Sequence, residues 1–169
     1  MKYRPSQIIY HWITVLLIIA LVLSGLAFSN EWTGAWVIKL HQIAGQLLAI
    51  LLACRIIARL RFRRVHRSAH ALWERIAAQA THGSLYLCMI GLVITGYVAA
   101  SGLRSPFLIW PASQAFARSD TGETLLYWHF DLKWVLLALI ALHILGVLKH
   151  LLWDKDNTLS HMSLRYRKE

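Results

Sequence analysis

Four long stretches of this chain are nearly free of charge, and they constrain the fold more than any other feature. Residues 8–28 carry no formal charge over 21 positions, and residues 82–100 carry none over 19. The other two stretches run over about 36–57 and 125–152, the latter broken in its apolar part only by Lys133, Lys149 and histidines. A helix of about 20 apolar residues crosses a bilayer core of about 30 Å, so the natural count is four spans. In lipid every backbone amide must bond within the protein, and no period-two alternation speaks for a barrel. The expected fold is therefore all-α, a four-helix transmembrane bundle forming one domain over residues 1–169. Charge content agrees: 15% of residues are charged, against about a quarter in soluble domains.

Charge also predicts orientation. Four spans put both termini and the link between the second and third spans on one side. That side holds fourteen Lys and Arg against four Asp and Glu, whereas the other side holds four against four. The entire net charge of +10 lies on one face, which the positive-inside rule makes cytoplasmic. The basic run "RIIARLRFRRVHR" joins two spans, where topology and anionic headgroups account for it, so a nucleic-acid partner is not expected. The first stretch is longer than the 7–15 residues of a signal-peptide core and contains His11, so it reads as a retained span. Cys54 and Cys88 are single, in different spans. Without C-x-x-C-H there is no covalent c-type haem, and no disulfide or zinc spacing appears. Within the basic link, "SAHALWERIAAQATH" has helical character and is expected along the membrane interface. "SDTGET" reads as a turn before the last span. Trp32, Trp36, Trp110, Trp128 and Trp134 near one boundary, and Trp12, Trp73 and Trp153 near the other, form an aromatic belt.

Ionisable side chains inside a span are costly and mark function. His11, His41, His129 and His143 are such positions, while His66, His70 and His161 fall in basic, solvated segments. His129 and His143 are fourteen residues apart, close to four full helical turns, so they share a face about 21 Å apart along the axis. The first span runs outward and puts His11 low; the second runs inward and puts His41 high. Matching depths pairs His41 with His129 on the outer side and His11 with His143 on the inner side. Two stacked bis-histidine sites are what two b-type haems require, and two imidazoles leave no open position, which favours electron transfer over oxygen binding. Gly45, Gly91, Gly96 and Gly146 could open gaps for a flat macrocycle or simply let helices pack closely.

The chain resembles the prokaryotic cytochrome b561 family over nearly its full length. The resemblance lies in "QIIYHW", "IKLHQIAGQLLAILLACRIIARL", "THGSLYLCMIGLVITGY", "YWHFDLKW" and "LHILGVLKHLLWDKDNT". It implies a multi-pass protein of the bacterial inner membrane in which four histidines, matching His11, His41, His129 and His143, ligate two haems b. Relatives in that family include small superoxide oxidases, which pass an electron from superoxide outside the cytoplasm to ubiquinone, and membrane subunits of hydrogenases and related dehydrogenases. The expected function is thus a dihaem oxidoreductase between a periplasmic donor, superoxide first, and ubiquinone. The alternative is a haem b relay or anchor subunit serving a larger dehydrogenase or a c-type cytochrome. Candidate quinone residues are His150 and His82, as hydrogen-bond or proton donors, with Arg55 and Arg59 as anion holders. Lys39, Lys133 and Arg104 are candidates for local attraction of an anion on the outer face. A transporter is not expected, because internal repeats and broken helices are missing from the sequence.

Overall fold

The computed structural model describes residues 5–30, 34, 36–61, 71–103 and 107–155, and among these no strand occurs. Arg104, His66, His70, His161 and most of the closing "KDNT" lie outside the described residues. Four helices are long and apolar enough to cross a membrane: α1 (Pro5–Ser29), α2 (Trp36–Arg61), α3 (Leu72–Ser101) and, after the short α4 (Gln114–Ala117), α5 (Asp120–Lys149), which runs on through a π-helical turn at His150–Asp154. Large apolar side chains such as Leu16, Leu23, Ile50, Leu60, Leu87 and Leu145 stand exposed around the bundle. In water such a surface would drive association, whereas in lipid it is the required one.

Two helices begin earlier than their apolar segments. Residues 72–82 of the stretch expected to lie along the interface are the first part of α3, continuous with the span. No proline falls between residues 72 and 101, and Gly83 does not stop a helix held by its neighbours. Likewise "SDTGET" is not a break but a helix start. The Ser119 hydroxyl accepts from the Gly122 amide and caps α5, with Asp120 and Glu123 in the first turn, where the helix dipole favours carboxylates.

The helices pack as two antiparallel pairs, α1 with α2 and α3 with α5, and α2 rests more lightly on α3. Each pair keeps one register along its length. In the first pair Gly25 meets His41, Gly45 faces Leu21, and His11 meets Arg55. In the second, Gly96 meets His129, Gly91 meets Leu132, and Glu74 meets Lys149. At mid-height Leu52, Cys88, Met89 and Leu136 form a buried apolar cluster, ringed by Ile18, Ile56, Leu85, Ile90 and Leu139. Cys88 packs there with its thiol toward the Leu132 carbonyl, 3.5 Å away, while Cys54 is exposed; both are free, in keeping with a packing role.

The loop between α3 and α4 is strapped to α2. Gln42 Oε1 accepts from the Phe107 amide at 2.6 Å, and Gln46 bridges the Phe107 carbonyl (2.8 Å) and the Ile109 amide (3.1 Å). Ser101, fully buried, accepts from the Ala112 amide at 2.9 Å, and Tyr97 donates to the Trp110 carbonyl. Gln42 and Gln46 lie one and five residues beyond His41, so this backbone packs alongside the helical turn that follows His41. At that depth peptide groups need partners from the protein, and the two glutamines supply them.

Candidate functional site

The four span histidines come together as two pairs at opposite ends of the bundle. At the end remote from the basic segments, His41 on α2 and His129 on α5 have ring centres 6.2 Å apart with planes at 84°. At the basic end, His11 on α1 and His143 on α5 have centres 6.5 Å apart at 65°. Helix α5 contributes one ring to each pair, and the mid-height apolar cluster lies between the two levels.

Hydrogen bonding assigns the protons of the first pair. His129 Nδ1 lies 3.1 Å from the Leu92 carbonyl, which can only accept, so Nδ1 carries the hydrogen. Thr95 Oγ1 is also 3.1 Å from that nitrogen, and its own proton goes to the Gly91 carbonyl at 2.8 Å. His41 Nδ1 lies 2.9 Å from Ser24 Oγ, whose hydroxyl donates to the Ala20 carbonyl at 2.7 Å and so leaves its oxygen to accept. Each ring therefore keeps an Nε2 lone pair for another partner. Two glycines give these rings room: a Cβ on Gly96 would fall 2.7 Å from His129 Cε1, and one on Gly25 would fall 3.4 Å from His41 Cε1.

The basic end is furnished differently. Arg55 Nη2 approaches His11 Nδ1 at 3.5 Å. The His82 ring stands 5.0 Å from His143 at 74°, and its Nδ1 lies 2.6 Å from the Ala78 carbonyl. The Arg55 and Arg59 guanidinium groups lie 5.6 and 5.5 Å from the Tyr86 ring centre. His150 contacts Asp154 at 3.0 Å; Lys149 joins the same carboxylate at 2.8 Å and Glu74 at 2.5 Å. At the other end Lys133 lies over the Trp134 ring, 4.8 Å from its centre, and over Phe130 at 5.7 Å.

Spacing decides what the pairs can hold. Imidazole nitrogens bind a metal at about 2 Å, and each lies about 1.1 Å from its ring centre, so a shared ion sets centres about 6.3 Å apart. The observed 6.5 and 6.2 Å agree. Among the described residues no three His, Cys, Asp or Glu side chains form a ligand group for a bare ion. Two axial imidazoles suffice when a macrocycle supplies the other four ligands, so the donor set fits haem.

Sequence reasoning missed Gly25, Ser24, Thr95, Gln42 and Gln46. A signal for the first was present. His11 and Gly25, His41 and Arg55, and His82 and Gly96 repeat the fourteen-residue spacing of His129 and His143, so every span carries two stations on one face.

Comparison with known proteins gives the family. Residues 2–163 match the profile of prokaryotic cytochrome b561. The chain is 28% identical to cytochrome b561 homolog 2 of Escherichia coli (strain K12), over 95% of this chain and 90% of that one. It is 30% identical to the probable superoxide oxidase CybB of Yersinia pestis, over 98% of both chains. The chain therefore belongs to the prokaryotic cytochrome b561 family, and is a multi-pass, haem b-binding electron-transfer protein of the bacterial inner membrane.

Proposed function

We propose that this protein is a dihaem b oxidoreductase that carries electrons across the inner membrane from superoxide on the periplasmic side to ubiquinone, with both termini in the cytoplasm. The observation that carries this reading is the pair of imidazole couples, spaced for a shared iron, at the two ends of one bundle. Each haem b supplies, when bound, a one-electron ferric–ferrous couple, and one near each leaflet makes a path through the bilayer.

The chain's own residues do the rest. His41 with His129, and His11 with His143, would each hold one haem, and an iron held by two imidazoles favours electron transfer over binding of dioxygen. Ser24, Thr95 and the Leu92 carbonyl hold the outer rings by their Nδ1 protons. Lys39 and Lys133 offer positive charge to a small anion at the neutral end, acting locally because that face carries no net charge. At the basic end His150, His82, Arg55 and Arg59 are the quinone candidates, with His150 fixed through Asp154. The reaction balances when two superoxide ions are oxidised to dioxygen and one quinone takes up two electrons and two cytoplasmic protons. The likeness to a probable superoxide oxidase supports superoxide as donor.

The test is stopped-flow mixing of the purified protein with superoxide. The proposal expects about two haems per chain, fast reduction by superoxide, and reoxidation by ubiquinone. A protein reduced only by a co-purifying dehydrogenase or c-type cytochrome would instead be a relay subunit. The exposed Ile109 and Trp110 at the neutral end are the feature that favours that second reading.

A further inference from the structure

We propose that Asp154, Lys149 and Glu74 are positioning residues for His150, and that the division of Lys149 between the two carboxylates sets how readily His150 hands a proton to the quinone. This rests on the quinone role proposed for His150 and names what controls that imidazole. Lys149 Nζ and His150 Nδ1 reach one and the same atom, Asp154 Oδ2, at 2.8 and 3.0 Å. Lys149 Nζ also donates to Glu74 Oε1 at 2.5 Å and lies 5.7 Å from the Trp73 ring centre, so one ammonium ties the end of α5 to the start of α3. The π-helical turn makes the shared contact possible. In an α-helix, residues 149 and 154 would stand about 140° apart around the axis. A turn closed from i to i+5, as where the Lys155 amide donates to the His150 carbonyl, brings such residues onto one face.

An ionised carboxylate only accepts, so His150 Nδ1 carries a hydrogen in this contact. Nε2 then gives up a proton from the imidazolium form alone. In that transfer the Nε2–H bond breaks as an O–H bond forms on the quinone, whose two electrons come from the two oxidised superoxide ions. The ring recovers its proton from the cytoplasm. Negative charge at Asp154 favours the imidazolium, and positive charge at Lys149 opposes it. Among the described residues, the charged groups set against His150 are these two and, through Lys149, Glu74. Two carboxylates and one ammonium leave one negative charge, which the imidazolium cancels. The side chains of Glu74, His150 and Asp154 are 18%, 22% and 27% exposed, so water and salt screen these charges only in part. Glu74 thus acts on His150 at second hand, by drawing Lys149 away from the shared oxygen.

The experiment is stopped-flow reoxidation of the purified, reduced full-length protein by a short-chain ubiquinone across a range of pH, with haem content measured first for each variant. Wild-type reoxidation should slow as pH rises through a midpoint set by His150. Asp154→Asn removes one charge-assisted hydrogen bond and should move that midpoint down by about one pH unit. Lys149→Met removes the competing cation and should move it up. Glu74→Gln, which leaves Lys149 wholly to Asp154, should move it down by less than Asp154→Asn does. A merely structural role would not give shifts of opposite sign. If Asp154→Asn does not accumulate, the opposed shifts of Lys149→Met and Glu74→Gln make the same comparison. His150→Leu should reoxidise slowly and lose the midpoint. A slow His150→Leu protein beside unshifted or like-signed midpoints in the other variants overturns the proposal and leaves His150 at the quinone. Reoxidation of His150→Leu as fast as wild type would remove His150 from the quinone reaction and overturn both.

Discussion

At the residue scale, the histidine rings are held by what lies behind them and given room by what is missing beside them. Gly96 leaves His129 less clearance than Gly25 leaves His41, 2.7 against 3.4 Å to a hypothetical Cβ. Gly96→Ala should therefore lower outer haem content more than Gly25→Ala does, as a pyridine haemochromogen assay per polypeptide would show. Equal contents in the two variants would contradict this steric ordering. Removing a ligand acts more simply. His129→Ala or His41→Ala should give one haem per chain with the inner haem retained, and loss of the inner haem instead would reverse the pairing. These partners were only partly legible in the sequence. The candidate ligands announced themselves as imidazoles in apolar runs, but Ser24 and Thr95 are ordinary span residues until the register places their oxygens against a ring nitrogen.

At the scale of elements, each span presents two stations fourteen residues apart, and the stations differ in kind. The outer level has glycines on α1 and α3 opposite histidines on α2 and α5; the inner level has Arg55 and His82 where the outer one has room. On the proposed dihaem reading the two environments are unequal, and two resolved couples are expected in a redox titration. The loop strapped by Gln42 and Gln46 is a second element-level feature. Replacing the buried Gln42 by Leu leaves the Phe107 amide without its acceptor, which costs about 1–3 kcal/mol. The expected result is a lower thermal midpoint and faster proteolysis between residues 101 and 114, with haem content preserved. Unchanged protease sensitivity would show that the strap does not hold the loop. Nothing in the composition of "SGLRSPFLIWPAS" signals this strap, because its partners lie about 60 positions away.

For the whole molecule, charge and depth set the direction in which the ladder works. The order of spans in the sequence assigns the net charge of +10 to one side, and the positive-inside rule then predicts that a fluorescent protein fused to the C-terminus should glow and an alkaline phosphatase fused there should stay inactive. The opposite outcome would invert the bundle and exchange donor and acceptor sides. At the same scale, α5 gives one ring to each pair and ties both sites to one rigid helix. The two histidine levels are thereby set about 21 Å apart along the axis, independent of the loops.

The amino-acid order alone determined the all-helical class, the number of spans, the ligand histidines as candidates and their depths, because these follow from hydropathy, helix rise and local charge. Helix starts were less visible, since Ser119 capping and the unbroken run into α3 depend on local hydrogen bonds that hydropathy does not record. Which helix stands beside which, and so which proton each imidazole keeps and what His82 touches, was decided only by tertiary packing. Those properties depend on distances between residues far apart in the chain, and a linear pattern specifies such distances only after the helices have found their neighbours.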